Sequence, residues 1–390
     1  MKIESITARS IPDTRGRLTI ETTLAAGDLS ASASVPSGKS TGEHEAVELD
    51  TVQAIENVNG EIAKALIGRE FSSPDELDMF LIELDGTPNK SRLGANAILS
   101  VSIAVQRLFA LQENIPLWKA VAKRAGTTPS APKLFVNVMN GGVHAGFKLP
   151  FQEYMLVVSS KTSDALPIAQ KAFEKLGGIL GDAPMGDEGG YAPTFDTLEK
   201  PFEILAELVK EFTDTKIAID VAASQLYIDD KYNILGKAYS TDELAHVYAN
   251  LVGHFPICSI EDPFDENAKN DFIHFTSAVN GRVLVVGDDF TCTNPRLIDE
   301  AVKNNAVTAV LIKPNQIGTV MEAIEAVQKT QSAGFKVIAS HRSGETADTF
   351  IVDFAYGVGA YGIKSGGLGQ KERLEKYERL IAIEREAETV

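Results

Sequence analysis

The sequence predicts an α/β protein in which a barrel of strand–helix units follows a smaller α+β region. Short apolar strands alternate with amphipathic helical stretches from about residue 257 onward, which is typical of a parallel sheet. Each of these strands ends in an ionisable residue, and a barrel brings such strand ends to one face. The first 125 residues instead carry a run of strands followed by a run of helices.

The N-terminal region combines a small sheet with helices. β-branched residues between turn signals predict a three-stranded meander. One helix opens at Ser73-Pro74-Asp75-Glu76, where a serine N-cap, a proline at the first helical position and a capping-box glutamate coincide. The predicted elements are strands at 2–8, 18–25 and 29–35, and helices at 50–66, from 73 onward and at 95–112.

The segment 124–133, RAGTTPSAPK, separates this region from the rest of the chain. Its small residues and two prolines sustain neither helical nor strand periodicity. We therefore expect the domain boundary here. The prediction is an N-terminal α+β domain over residues 1–125 and a C-terminal barrel domain over residues 134–390.

The residues that close the C-terminal strands decide between two architectures. They are spaced 27, 25, 28 and 23 residues apart, and they are Glu261, Asp288, Lys313, His341 and Lys364. A doubly wound sheet would distribute them along an edge, whereas a barrel gathers them at one mouth. The pattern therefore favours a barrel, with strands at 257–262, 283–289, 307–313, 336–341 and 360–364 and helices at 294–304, 318–334, 346–357 and 371–388.

Composition excludes several classes of protein. At ~150 residues per domain, 390 residues indicate two domains, or at most three. A net charge of −17 repels phosphate backbones and anionic lipid, which argues against a nucleic-acid or membrane partner. Two cysteines make no disulfide framework, and the N-terminus MKIESITARS lacks the apolar segment of a signal peptide. We expect a cytoplasmic protein.

Three acids suggest a metal site. Asp220, Glu261 and Asp288 each follow an apolar run that is predicted to be a strand, where an unpaired carboxylate would be costly to bury. Carboxylates that converge without a nearby histidine suit a hard, oxygen-binding cation, above all Mg²⁺. The alternative for each acid alone is that it caps the following helix.

Two lysines and two further acids are candidates for proton transfer. Lys313 and Lys364 end apolar strands on the face that carries the three acids. In a dry mouth beside a divalent cation the pKa of a lysine falls, so that it becomes a general base; the alternative is a lysine that reaches out to the barrel rim. Glu153 and Glu188 are the acid candidates, and Glu188 lies in a glycine-flanked turn. Their alternative is a solvated carboxylate.

A cationic cluster and an isolated histidine complete the candidates. His341, Arg342 and Ser343 leave a strand end with two cationic donors and a hydroxyl, which suits an anionic oxygen. His144 lies in the glycine-rich segment NGGVHAGF. A single histidine is more often structural, so its functional role stays open on these grounds.

Taken in order, these motifs resemble those of the enolase (phosphopyruvate hydratase) family. The similarity covers nearly the whole chain, and SHRSGET, SIEDP and GDEGG together are highly specific. The motifs are VPSGKSTGEHEAVEL, DGTPNKSRLGANAILSVSIAV, NVMNGGVHAG, QEYM, GDEGGYAP, DVAAS, SIEDPF, VGDDFTCTNP, KPNQIGT and SHRSGETADTF. The resemblance implies an enolase-type (β/α)8 barrel with an α+β N-terminal capping domain and atypical first units. It also implies a homo-oligomer, either a homodimer or a higher oligomer, that reversibly dehydrates 2-phosphoglycerate to phosphoenolpyruvate.

The resemblance also assigns metal ligands. Asp220, Glu261 and Asp288 match the family's Mg²⁺ ligands, and Ser40 matches the loop residue that binds a second Mg²⁺ once substrate is present. Two Mg²⁺ per active site are thus implied. Their charge would stabilise the enolate intermediate that forms when a weakly acidic proton leaves the carbon beside a carboxylate.

Catalytic and substrate-binding roles follow from the same resemblance. Lys313 matches the base, Glu188 the acid, Glu153 its supporting carboxylate and His144 the histidine of a closing loop. Residues 341–343 match the phosphate-side contacts, and Lys364 matches the partner of the substrate carboxylate. The implied substrate-binding set is His144, Glu153, Asp288, His341, Arg342, Ser343 and Lys364.

The chain departs from the family pattern at a few positions. Phe147 replaces an asparagine, Gln225 a glutamate, and Ala382 a basic residue that commonly bridges subunits, while GGLGQ at 366–370 lacks the usual arginine. No implied catalytic residue is lost. Two alternatives accompany the enolase hypothesis: a paralogue that acts on another carboxylate with an acidic α-proton, and a non-catalytic enolase-like scaffold.

Overall fold

The N-terminal sheet is the predicted meander. A computed structural model describes residues 1–39 and 42–389. Strands β1 (Ser5–Pro12), β2 (Leu18–Ala26) and β3 (Leu29–Ser34) pair antiparallel in sequence order. β1 begins later than predicted because Lys2 instead forms an isolated bridge with Glu70. It also continues past residue 8, since Arg9 to Pro12 pair with β2 down to Leu18.

Helices cover one face of this sheet. They are α1 (Thr51–Asn57), a π-turn (Val58–Ile62), α2 (Ala63–Leu66), α3 (Pro74–Asp85), α4 (Ala95–Gln112) and α5 (Leu117–Ala125). The N-terminal cap of α3 differs from the predicted capping box: Ser73 accepts from the Glu76 N–H, but the Glu76 carboxylate accepts from the N–H of Ser72. Helix α4 has the length and apolar content of a membrane span, yet 83% of it is buried, so it is a core helix of this domain.

Eight strands form a closed barrel in the order β10-β11-β12-β13-β14-β4-β5-β6. They are β4 (Lys133–Asn140), β5 (Glu153–Val158), β6 (Thr215–Asp220), β10 (Ile257–Glu261), β11 (Leu284–Gly287), β12 (Ala309–Ile312), β13 (Lys336–Ser340) and β14 (Gly362–Lys364). The fold class is confirmed. β5 runs antiparallel to both β4 and β6. The link from β4 to β5 contains no crossover α-helix of the kind that parallel strands need.

The remaining elements lie outside the barrel strands. The helices are α6 (Thr162–Leu180), α7 (Lys200–Glu211), α8 (Thr241–His254), α9 (Lys269–Val279), α10 (Pro295–Lys303), α11 (Val320–Ser332), α12 (Phe350–Gly357) and α13 (Lys371–Thr389). A small antiparallel sheet that the sequence patterns did not indicate follows β6: β7 (Tyr227–Ile228), β8 (Lys231–Ile234) and β9 (Lys237–Tyr239). The barrel interior is packed with apolar side chains, namely Phe135, Met155, Val157, Ala218, Val286, Ala309, Leu311 and Ile338.

Polar contacts hold the N-terminal region against the barrel mouth. Arg107 on α4 makes an ion pair with Asp348, with Nη2 and Oδ1 2.6 Å apart. Ser37 and Gly344 exchange backbone hydrogen bonds of 3.0 Å in both directions. These contacts position the segment after β3 next to the ends of the barrel strands.

Candidate active site

Strand register brings three carboxylates to one level. Glu153 on β5 pairs with Asp220 on β6, and Asp220 pairs in turn with Glu261 on β10. The ammonium of Lys364 at the end of β14 lies 3.1 Å from Glu153 Oε1, 3.0 Å from Asp220 Oδ2 and 2.9 Å from Glu261 Oε1. All four side chains are buried. Burial disfavours the charged form of Lys364, but Asp220, Glu153 and Glu261 outweigh it and raise its pKa well above the usual value.

A second ion pair, of the buried Asp288 and the partly buried Lys313, lies beside this cluster. The Lys313 ammonium contacts Asp288 Oδ2, and Gln316 Nε2 donates to Asp288 Oδ1 at 2.9 Å. Burial alone would lower the pKa of Lys313, yet the Asp288 charge raises it above its usual value. Burial likewise opposes the Asp288 carboxylate, whose pKa the Lys313 and Lys364 charges nevertheless lower. Lys313 therefore carries a proton in this arrangement.

The donors at the mouth fit a divalent cation. Burial, followed by the charge of Asp220, raises the pKa of Glu261 well above its usual value, and burial followed by the charge of Glu188 does the same for Glu153. Within the described part of the chain, Glu153 Oε2 has no hydrogen-bond partner. The three predicted ligands, Asp220, Glu261 and Asp288, are all buried carboxylates, and such hard oxygen donors suit Mg²⁺.

The predicted metal ligands are adjacent, but their carboxylate oxygens do not all point at one common position. Among the described residues, ligand atoms within 4.8 Å of one another belong to Glu153, Glu188 and His341, and to Asp262, Asp288 and Asp289. Asp220 and Glu261 bind the ammonium of Lys364, while Asp288 binds that of Lys313. Lysine charges thus satisfy the carboxylates. Ser40, the predicted ligand of a second ion, lies outside the described residues.

Glu188 occupies a buried turn across the mouth. Asn137 Nδ2 donates to Glu188 Oε2 at 3.0 Å, and His144 Nε2 lies 3.5 Å from Oε1. Burial would raise the pKa of Glu188, but the neighbouring His144 and the positive charge of Arg373 lower it well below its usual value. The pKa values of Glu153 and Glu188 are therefore shifted in opposite directions.

The phosphate-side candidates are held by residues that the motifs did not single out. Both Nη atoms of Arg342 donate to the Glu45 carboxylate, at 2.9 and 3.1 Å. Arg15 Nη1 donates to Ser343 Oγ at 3.1 Å. These partners come from the N-terminal domain: Arg15 lies 328 residues before Ser343, and Glu45 lies 297 residues before Arg342. No local pattern could have revealed them.

The structure brings most of the predicted site residues to one cavity. Its lining includes Lys39, His144, Gln152, Glu153, Glu188, Asp220, Lys313, His341, Arg342, Ser343 and Lys364. Lys39 and Gln152 were not among the candidates. Lys39 Nζ makes an ion pair with Asp187 at 2.5 Å, and Gln152 Nε2 donates to the predicted metal ligand Asp220 at 3.0 Å. Gln225, one of the departures, donates in turn to Gln152 at 3.0 Å.

The fold and the site together define a barrel enzyme whose acid-rich, lysine-containing mouth is closed by an N-terminal domain. Residues 3–121 match the enolase N-terminal domain, and residues 129–389 match the enolase C-terminal TIM barrel domain. The chain is 42% identical to Enolase 1 of Lactobacillus gasseri, over 98% of this chain and 95% of that protein. It is 39% identical to the enolase of Ehrlichia chaffeensis, over 98% and 96% respectively. The chain belongs to the enolase family.

Proposed function

We propose that this chain catalyses the reversible dehydration of 2-phosphoglycerate to phosphoenolpyruvate, a carbon–oxygen hydro-lyase reaction of glycolysis and gluconeogenesis. Membership of the enolase family supports the reaction class. The observation that carries the proposal is the constellation at the mouth: Lys313 and Lys364 pair with buried carboxylates and line one cavity together with Arg342 and Ser343. Such a mouth suits a substrate with one carboxylate and one phosphate.

Residues of this chain would bind Mg²⁺ and substrate together. Asp220, Glu261 and Asp288 would hold the ion, and a second ion is expected with the substrate. Mg²⁺, when bound, supplies positive charge that stabilises the charge developing on the substrate carboxylate. Lys364, already protonated among its carboxylates, adds a further cation on that side.

Lys313 is the proposed base. Its ammonium is held by Asp288, so that the neutral amine needed to take the C2 proton forms only when Asp288 has another partner. The geometry thereby couples the base to occupancy of the site. A lysine that stayed paired with Asp288 would be a poor base.

Glu188 is the proposed acid for the departing C3 hydroxyl, with Glu153 as its proton supply. Glu153, whose pKa is raised while that of Glu188 is lowered, would hold the proton in the free protein. Its carboxylate oxygen lies within 4.8 Å of one of Glu188, so transfer of that proton would make Glu188 an acid. His144, 3.5 Å from Glu188, would steady the carboxylate.

The phosphate would be bound by His341, Arg342 and Ser343. Arg342 is paired with Glu45, so a bound phosphate competes with that carboxylate for the same guanidinium. Arg342 prefers bidentate oxygen partners, and a phosphate offers the same geometry as Glu45. Retention of this cluster favours a phosphorylated substrate over other α-proton carboxylates.

An assay of phosphoenolpyruvate formation, with Mg²⁺ and with a chelator, tests the proposal. We expect turnover when Mg²⁺ is present and no turnover when the chelator removes it. Asp299→Asn is a matched control, because Asp299 lies on the outer helix α10 and pairs with Lys329 of α11. Tight binding of 2-phosphoglycerate without turnover would instead identify a scaffold, and turnover of an unphosphorylated acid would identify a paralogue.

We also propose a cytoplasmic homodimer. Both cysteines are free, which suits a reducing compartment. Arg9 and Glu21 lie opposite each other on β1 and β2, and their side chains pair at 2.6 Å with Arg9 largely exposed. This edge is the expected contact with a partner's barrel helices. Sedimentation at micromolar concentration should give a dimer that Glu21→Lys weakens, and a monomeric parent would contradict the assignment.

A further inference from the structure

A fully buried arginine directs its donors at the histidine of the proposed phosphate cluster. Arg373, near the start of α13, has no exposed surface. Its Nη1 contacts His341 Nδ1, its Nη2 donates to the Ser343 carbonyl at 3.1 Å, and its Nε donates to Gln370 Oε1 at 2.6 Å. Among the described residues no carboxylate forms an ion pair with it. The guanidinium thus contacts two neutral oxygens and one ring nitrogen.

The chemistry of the two groups fixes where the histidine proton lies. A guanidinium is always charged and only donates hydrogen bonds. The ring nitrogen that it contacts must therefore accept, and so carries a lone pair and no hydrogen. The other ring nitrogen then bears the proton of the neutral imidazole. Burial, followed by the positive charge of Arg373, also lowers the pKa of His341 well below its usual value.

We propose that Arg373 is a positioning residue that holds His341 as the neutral tautomer with its hydrogen on Nε2. His341 would then serve the reaction as a hydrogen-bond donor and neither as an acid cation nor as a base. Its role toward substrate rests on the function proposed above, whereas the tautomer is a property of the free protein.

The neighbours of His341 make the tautomer consequential. One of its ring nitrogens lies within 4.8 Å of carboxylate oxygens of Glu153 and Glu188. A histidine that could gain or lose a proton there would compete with the proton shared by those two carboxylates. A ring locked as a neutral donor leaves that proton with the glutamates and offers a fixed N–H to a substrate oxygen.

The segment 366–370, which departs from the family pattern, is shaped around Arg373. A Cβ on Gly366 would lie 2.5 Å from Arg373 Nη1, and Gly366 also has a left-handed φ of 80°. Gln370 accepts from Arg373 and donates to the carbonyl of Asp187 at 3.1 Å. The loop that carries Glu188 and the arginine behind His341 are therefore joined through one side chain.

The test is nitrogen NMR of the full-length protein labelled with ¹⁵N-histidine. The chain has six histidines, and loss of one signal set in His341→Gln assigns His341. We expect the unvaried protein to show the neutral Nε2–H form throughout the neutral pH range. An Nδ1–H tautomer or an imidazolium there would overturn the proposal, whether or not the protein turns over 2-phosphoglycerate.

Two variants separate positioning from packing. Arg373→Met removes the donors while filling the space, and we expect mixed His341 tautomers and kcat lower by about tenfold, the worth of one hydrogen bond. Arg373→Lys restores a donor and should recover the single tautomer. An unchanged tautomer in a folded Arg373→Met protein would refute the role of Arg373. If Arg373→Met does not fold, the unvaried and Arg373→Lys proteins are compared instead. An Nδ1–H tautomer or an imidazolium in the unvaried protein, or mixed tautomers in Arg373→Lys, would then overturn the proposal.

Discussion

Arg342 and Glu45 join the barrel mouth to the N-terminal domain through a two-pronged ion pair, with N–O distances of 2.9 and 3.1 Å. Both side chains are almost fully buried. Burial would lower the pKa of Arg342, and Glu45 raises it above its usual value. The guanidinium proposed to bind phosphate is therefore satisfied by the protein itself before any substrate arrives.

Replacing Glu45 with glutamine should lower the stability of the protein and increase the stabilisation that a bound anion provides. Removing one partner of a buried pair leaves an uncompensated charge, which costs ~3–5 kcal/mol. We expect a lower free energy of unfolding in urea, and a larger stabilisation by inorganic phosphate than in the unvaried protein, because phosphate replaces the lost carboxylate. Glu43→Gln, two residues away and exposed, is the control. Equal phosphate effects in both proteins would show that Arg342 does not bind the anion.

Phe147 should be a site where stability can be gained. It has a left-handed φ of 57°, and the residue is 49% exposed. Such a conformation costs an aromatic residue about 1 kcal/mol, whereas asparagine adopts it readily. Phe147→Asn should raise the free energy of unfolding by about 0.5–1 kcal/mol. Phe147→Leu, which keeps the unfavourable backbone, should not, and equal stability of the two variants would contradict the strain.

Asp288→Asn should weaken Mg²⁺ binding severely. The substitution keeps the shape of the side chain but removes a charge from an oxygen-donor cluster, and Mg²⁺ binds through carboxylates. It should also release Lys313, whose ammonium contacts Asp288. Titration calorimetry with Mg²⁺ measures the first effect, with Asp299→Asn as the control on the outer helices. An unchanged isotherm would show that Asp288 is not a ligand.

Variants of Lys313 and Glu188 should differ in whether the C2 hydrogen of 2-phosphoglycerate still exchanges with solvent. If Lys313 takes the C2 proton before the C3 hydroxyl leaves, Lys313→Ala loses both dehydration and exchange of the C2 hydrogen with deuterium from solvent. Glu188→Gln loses dehydration and keeps some exchange. A general acid or base contributes ~10²–10⁴ in rate, so mass spectrometry of recovered 2-phosphoglycerate resolves the difference. Exchange retained in Lys313→Ala and lost in Glu188→Gln would mean that the two roles are reversed.

Sequence patterns located the N-terminal sheet and the C-terminal strand–helix units because these elements have strong local signals. Helix α4 has the predicted bounds, Ala95–Gln112, since apolar periodicity continues without interruption between a glycine and a polar turn. The sheet β7–β9 was missed because its strands are only two to four residues long. Such strands are too short for alternation to be visible.

The candidate site was predictable to the extent that its residues end strands. Asp220, Glu261 and Lys364 follow apolar runs, and the register of the barrel brings them together. Arg373 gave no such signal, because it lies within the charged sequence of α13 and its role depends on a contact 32 residues away. Glu45 escaped notice for the same reason, since its partner belongs to another domain.

The register of β5, β6 and β10 has a consequence for how the chain can change in length. Side chains of a strand alternate between its two faces, so one inserted or deleted residue within β6 would turn Asp220 away from the mouth. Loops between the strands carry no such restriction. The chain can therefore shorten its connections and still keep Glu153, Asp220 and Glu261 side by side. In a scan of single-residue deletions, deletions in the connections should leave metal binding intact. Deletions within these strands should abolish it.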